Sequence, residues 1–454
     1  DNLVVGDELD IILLLLELCF FPEMGFIKSS ILVVLAAVIL NKIPGWFQGE
    51  VEVPAVVGHV EPGWEQVGEA YRKLFADGDD KGSSLCIYHK GKPVVDLRGG
   101  FANEKELWPW QENTITRLFS TTKGLSAIVI GILVDRGLLK YHDYVVKYWP
   151  EFGVHGKENV TVEMLLSHQT GLLTISDDSY SLWDEVYDME KVGRLLAAEK
   201  PRWEIGSAVG YHALTIGMYM DQLVRRVDPE GRSLPQFFEE EIAQPFDVDI
   251  QYGVKDADVY RTATMNWFFS YKLKYFFIPD FRAFLSLFFL GNFGSSEPDY
   301  MAEIGKTFDI KGIEPFTTRI RPDVNKIPNP SIMATGNAHA VAKLYGILAN
   351  GGSFGKKTLM SPATIELQTQ LIKAGKDKCI KVPVTYGRGY SISKSPKDSV
   401  RFGTPGMGGQ IGMSDMKYKL GIGFTSNYLA MTGFLGHRFL LLQESIYRTV
   451  DSLK

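Results

Sequence analysis

Apolar residues along this chain recur with two different periods. Between residues 120 and 139, Leu125, Ile128, Val129, Ile132 and Leu133 fall at helical spacing, and Gly137, after Asp135 and Arg136, is a C-terminal stop. Residues 337–348 repeat that spacing and run into Asn350, Gly351 and Gly352, and residues 438–453 predict a final helix. Between 83 and 99 the period changes. SSLCIYH and PVVDLRG are β-rich runs joined by Lys90, Gly91 and Lys92, which predicts a hairpin. Short, Gly-punctuated strands are expected again over 388–393, 410–414 and 420–426. An early hairpin, a long helical middle and late strands predict an α+β fold of the α/β-sandwich kind. Its antiparallel sheet is built from both chain ends and flanked by helices, with a mostly helical lobe of about residues 115–345 inserted between sheet segments 83–110 and 385–454.

Two stretches depart from this pattern. Residues 11–21 are apolar apart from Glu17, and residues 31–40 (ILVVLAAVIL) are a continuous apolar run. Neither reaches the ~20 apolar residues that span a bilayer, and Pro22, Glu23 and Lys28 keep them apart. A start at Met24 would set Lys28 ahead of the second run, the layout of a secretory signal or short anchor. It would also read M-G-x-x-x-S, a myristoylation pattern. A buried leader helix is the plainer alternative. Residues 43–63 contain Pro and Gly and read as a linker, so the chain divides into a leader or anchor with its linker (1–60) and a folded domain (61–454). The second stretch, residues 267–293, holds 12 aromatic residues, with Phe277, Phe281, Phe284 and Phe288 on one helical face. It reads either as packed helical lobe or as a lid or membrane-facing surface for lipophilic substrates.

Composition narrows the chemistry mainly by exclusion. The chain has 454 residues, 45% hydrophobic and 22% charged, with 48 basic and 54 acidic residues for a formal charge of −6. That is an ordinary globular balance, and with no basic stripe nucleic acid is not an expected partner. Three cysteines, at 19, 86 and 379, form no C-x-x-C pair, and the eight histidines form no H-E-x-x-H pair. Neither a disulfide framework nor a metal site is expected, and no cofactor is implied. Cys86, within the hairpin, is expected to pack as a small apolar residue. Asn159-Val160-Thr161 is a glycosylation sequon, usable only on the secretory route.

S-x-x-K occurs four times, starting at Ser120, Ser353, Ser391 and Ser414. Only Ser120 opens a helix after a non-helical stretch, where i, i+3 spacing sets Lys123 on the same face as the hydroxyl. The helix N-terminus adds unpaired N–H groups and partial positive charge beside any attacked carbonyl. The competing reading makes Ser120 an N-cap and Lys123 a solvated surface charge.

Several motifs in order decide between the two. RLFSTTKGLSA around Ser120, LLSHQTGL at 165–172, VGYHALTIG at 209–217 and FGTPGMGGQIG at 402–412, with MATGNAHAVAKLYGILANGG and YGRGYSI, resemble the serine β-lactamase-related family. That group contains class C β-lactamases, D,D-peptidases, bacterial esterases and animal β-lactamase-like proteins. The resemblance spans roughly residues 64–440 and is weak over 255–330. It implies Ser120 as nucleophile, Lys123 as the amine that helps remove its proton, and Tyr211 as a phenol sharing that role. It implies an oxyanion hole from the backbone N–H groups of Ser120 and Met407, and a substrate-binding surface including His212, Thr404, Gly406 and Gly408. For His212 a structural role is the alternative. His168 and His339 are expected to be structural.

Two departures from the family pattern bear on substrate. Tyr211, His212, Ala213 lacks the asparagine of Y-x-N, and Thr404 stands where the family carries a cation. Without that cation, which holds a substrate carboxylate, penicillins and peptidyl-D-Ala are disfavoured. A serine hydrolase cleaving an ester or amide of a small molecule, peptide or lipid is expected. The alternative is a catalytically weak or inactive scaffold or filament-forming relative, with homo-oligomerisation and membrane association both open. The leader suggests the secretory pathway or a membrane anchor, and the resemblance to animal members makes mitochondria the alternative location.

Overall fold

The computed structural model describes residues 52–268, 299–307, 324–430 and 436–453. The apolar leader and most of the aromatic segment lie outside the described residues, and with them the expectations of a signal, an anchor and a lipid-facing surface. Among the described residues no helix is long and apolar enough to cross a membrane.

One antiparallel sheet organises the molecule. Its strands in chain order are β1 (Val57–Val60), β2 (Gly82–His89), β3 (Lys92–Asn103), β4 (Lys373–Lys376), β5 (Pro383–Tyr386), β6 (Ser391–Lys394), β7 (Val400–Gly403), β8 (Ile411–Asp415) and β9 (Leu420–Ser426). In space they run β1-β3-β2-β9-β8-β7-β6-β5-β4, with a two-residue strand at Trp108–Pro109 beside β3. The central joint is β2 against β9, registered from Ser83↔Ser426 to His89↔Leu420, which ties the two chain ends together. The hairpin of β2 and β3 turns on Lys90 and Gly91, both at positive φ (50° and 79°). Two residues in that conformation match the right-handed twist of the strands they join.

Helices cover both faces of the sheet. On one side α1 (Glu65–Ala76) and the C-terminal α5 (His437–Ser452) bury Val67, Tyr71, Leu74, Phe439, Leu442 and Ile446 against Leu85, Ile87, Ile422 and Phe424. On the other side lie α2 (Thr121–Asp135), α3 (Thr215–Val227) and α4 (Ala338–Ala349). Two glycines of β9 let α4 press onto the strand: a β-carbon on Gly421 would stand 2.1 Å from the Gly346 nitrogen, and one on Gly423 would stand 2.2 Å from the Ala338 carbonyl. The Asn337 side chain caps α4, accepting from the Ala340 N–H at 2.8 Å.

Three details differ from the sequence expectation. Strand β1 lies in what reads as linker. Its pairing with β3 gives these residues an ordered place that a mostly exposed VGHV segment does not advertise. Strands β4 and β5 extend the sheet beyond the expected set at its far edge. Helix α2 carries no polar face: Thr121 through Leu133 are all buried, because sheet, α3 and α4 surround it. A helix enclosed on every side is a rigid mount for its first residues.

Candidate active site

Ser120 is the N-cap of α2. The preceding Phe119 has φ +46°, a left-handed conformation that costs a bulky side chain about 1–3 kcal/mol and persists only where packing enforces it. Phe119 is packed against Met265, Leu429 and Met407. The kink turns the chain from the short strand Thr116–Arg117 into α2 and leaves the Ser120 side chain partly exposed at the bend.

Lys123 and Tyr211 converge on that hydroxyl. Lys123 Nζ lies 3.1 Å from Ser120 Oγ and donates to the Ser331 carbonyl at 3.1 Å. The Tyr211 hydroxyl donates to Ser120 Oγ at 2.7 Å. The competing reading of Lys123 as a solvated surface charge is therefore excluded: Lys123 is 2% exposed, and burial holds its amine well below the ordinary lysine range. Burial pushes the Tyr211 phenol the other way, above its usual value, with the Ser120 hydrogen bond opposing and Asp377 reinforcing the shift. Both shifts favour the uncharged form of the pair, a neutral amine and a protonated phenol.

The supports of these two side chains were not legible in the sequence. The Asp377 carboxylate accepts the N–H groups of Tyr211 (3.2 Å), Cys379 (2.8 Å) and Ile380 (2.9 Å), and its second oxygen accepts the Tyr386 hydroxyl at 3.0 Å. Ser331 is held by Asn329, whose Nδ2 donates to both Glu185 oxygens at 2.9 and 2.8 Å. Burial raises Glu185 to about 7. The Asn329 loop is flanked by Pro328 and Pro330. That cluster of turn formers was the one local signal for it.

The third expected segment follows β7. Gly406 presses onto the nucleophile bend, where an added β-carbon would lie 2.4 Å from the Leu118 carbonyl and 3.0 Å from Thr121 Oγ1. The partly buried Met407 follows it, packed beside Phe119. Neither the Ser120 nor the Met407 N–H donates to an acceptor among the described residues.

Four residues expected on the substrate-binding surface are placed otherwise. His212 is fully buried. Its Nε2 accepts the Leu172 N–H at 3.0 Å, which leaves the proton on Nδ1, 3.2 Å from His168 Nδ1. Burial pushes it down to about 3, so it is a neutral structural ring behind Tyr211. His168 is also buried and low-pKa, its ring against Tyr211, His212 and Tyr386. Thr404, just past the end of β7, is 5% exposed, and its Oγ1 lies over Gly124 of α2. The glycines serve the protein's own packing: Gly406 admits Leu118, and Gly408, at φ +79°, turns against Leu429.

The chain is similar to known proteins over most of its length. Residues 70–443 match the sequence model of the Beta-lactamase family. The chain is 31% identical over 404 residues to the esterase/beta-lactamase LipL of Mycobacterium tuberculosis, covering 86% of this chain and 89% of that protein. Among solved structures it is similar to a family VIII carboxylesterase (TM-score 0.75, 32% identity, 87% of this chain and 99% of that one). It is also similar to a penicillin-binding protein homologue from Caulobacter crescentus (TM-score 0.73, 29% identity, 87% and 99%). On the breadth of these matches, this chain belongs to the β-lactamase family of serine hydrolases.

Proposed function

We propose that the protein hydrolyses carboxylic esters through an acyl-enzyme on Ser120, with Lys123 as proton acceptor and Tyr211 as proton donor. One observation carries the reading: an amine and a phenol from distant stretches both lie within hydrogen-bond reach of a single partly exposed serine oxygen. A serine hydroxyl attacks poorly until a base takes its proton. A neutral Lys123 amine, lowered by burial, has the lone pair to do so. As Oγ bonds to the substrate carbonyl carbon, its proton passes to Nζ. The former carbonyl oxygen takes the charge, facing the unpaired Ser120 and Met407 N–H groups. The carbon–oxygen bond to the alcohol then breaks, and the Tyr211 hydroxyl, no longer engaged by Oγ, protonates the departing alkoxide and is resupplied from Lys123. Water repeats the sequence in reverse to free the acid.

An uncharged ester fits better than a β-lactam. Thr404, in place of the family's cation, turns its hydroxyl into the protein, so nothing at that position holds a substrate carboxylate. The relatives named as esterases support the same choice. The test is a fluorophosphonate probe with p-nitrophenyl butyrate turnover. Labelling and turnover that both vanish in Ser120→Ala support the reading. A folded wild-type protein that neither labels nor turns over would return it to the scaffold class.

A further inference from the structure

On the α4 side of the sheet, among residues the hydrolase site does not use, three different donor types meet. Cys86 on β2 and Asp96 on β3 are direct cross-strand partners. Across from them His339, in the first turn of α4, points back over the strands. Its Nδ1 lies 2.6 Å from Asp96 Oδ2 and 3.9 Å from Cys86 Sγ. The three donor atoms all lie within 4.8 Å of one another, the one such group among the described residues. We infer that Cys86, Asp96 and His339 form a binding site for a divalent cation of the zinc class.

The ligand chemistry, the geometry and the surroundings each support this. A thiolate with an imidazole selects zinc or cobalt over magnesium and calcium. In tetrahedral coordination at the usual Zn–S and Zn–N lengths, sulfur and nitrogen stand about 3.6 Å apart, close to the observed 3.9 Å. Oxygen and nitrogen need about 3.3 Å, so the Asp96 carboxylate, now hydrogen-bonded at 2.6 Å, must withdraw by well under 1 Å. It is free to do so, being 35% exposed at the side chain, and His339 is 42% exposed. The ring nitrogen not offered to the metal is already oriented: His339 Nε2 lies 3.0 Å from the Tyr88 hydroxyl, whose pKa burial raises, so the phenol stays neutral and can accept. Ligating histidines ordinarily have such an outer partner. Carboxylate and thiolate together balance a doubly charged ion, and solvent supplies the fourth position.

Binding would displace the Cys86 thiol proton to solvent, forming the metal–sulfur bond. Burial and the neighbouring Asp96 otherwise keep that thiol protonated. The placement of His339 depends on glycine: the Gly423 backbone admits the Ala338 carbonyl at the helix start. A bound ion would thus clamp β2, β3 and α4 together where Cys86, Asp96 and His339 meet.

The test uses the full chain, stripped with chelator and titrated with Co²⁺, whose thiolate complexes show a near-ultraviolet charge-transfer band. The expected result is one equivalent of Co²⁺ with that band, displaced by Zn²⁺. Band and binding should be lost in Cys86→Ser and in the more exposed His339→Ala, and Tyr88→Phe should weaken affinity by about 10-fold or more. Circular dichroism identifies any variant that fails to fold, and His339→Ala then decides alone. Absence of a band in the wild-type protein, or a band that survives in folded His339→Ala, overturns the inference. Because its readout is metal and sulfur, failure here leaves the hydrolase reading untouched.

Discussion

Replacing Tyr211 by phenylalanine removes one oxygen and almost nothing else. The ring keeps its contact with His168 at 5.2 Å, and the backbone N–H keeps its bond to Asp377. What is lost is the 2.7 Å hydrogen bond to Ser120 Oγ. As a structural bond in a partly buried side chain it is worth about 0.5–1.5 kcal/mol, so the melting temperature should fall by a few degrees at most. As a proton donor to the leaving group it is worth about 10²–10⁴ in rate. At about 1.36 kcal/mol per decade that is roughly 2.7–5.4 kcal/mol of transition-state stabilisation. Rate should therefore suffer more than stability. The assay is kcat/KM for p-nitrophenyl butyrate across pH, beside a thermal melt. Lys123 is unchanged in this variant, so the loss of activity at low pH should remain. A Tyr211→Phe enzyme within about three-fold of wild type would refute the donor role and leave Tyr211 as packing.

Three further outcomes follow from the same geometry. Lys123→Ala should lower the rate of acylation by at least ~100-fold, measured by fluorophosphonate labelling. Because only the neutral amine accepts a proton, wild-type kcat/KM should fall as pH drops through the lowered Lys123 pKa, and that limb should vanish in the variant. Asp377→Ala strips the acceptor from three backbone N–H groups and the Tyr386 hydroxyl. It should destabilise the fold by roughly 3 kcal/mol or more in a denaturant melt, with loss of activity in the fraction that stays folded. An uncharged butyrate ester should be turned over at least ~10-fold faster, by kcat/KM, than nitrocefin, whose carboxylate lacks a cation to pair with. Equal turnover would mean that another side chain does the work of the missing one.

How much of this was readable beforehand depends on how local each signal is. Helix α2 was legible because its apolar spacing and the stop at Gly137 lie within one stretch of chain. Strands β1, β4 and β5 were not, since VGHV, KAGK and PVTY owe their conformation to the strand beside them. Ser120 and Lys123 share a helical face at i, i+3 spacing, but that spacing cannot say whether the face is dry. Burial decides between a base and a surface charge, and it is set by α3, α4 and the Ser331 loop. Tyr211 was found only through resemblance. Its neighbour His212 was misplaced because adjacent residues point to different sides, and Thr404 because its burial is set by α2, which is distant in sequence. Ser331 holds Lys123 through its main-chain carbonyl, which leaves no mark on residue type, and Asp377 accepts from N–H groups that its sequence position does not announce.

The groups gathered around the nucleophile share one electrostatic property. Burial lowers Lys123, His168 and His212 and raises Tyr211, so every one of these shifts favours the uncharged form. With Thr404 where the family carries a cation, the hydroxyl of Ser120 meets a buried amine and a phenol rather than a charged side chain at that position. Desolvation alone would make such a site hostile to any ion. On the proposed mechanism the tetrahedral oxyanion would be tolerated because it would form at the end of α2, where the unpaired N–H groups and the helix dipole are already oriented and pay no reorganisation. A substrate carboxylate lodged at position 404 would meet the buried Thr404 side chain in place of a cation. On the proposed mechanism, selectivity for neutral acyl groups would need no dedicated specificity pocket. It would follow from the same dryness that favours the uncharged Lys123 amine, and a substitution that wets the site should erode rate and selectivity together.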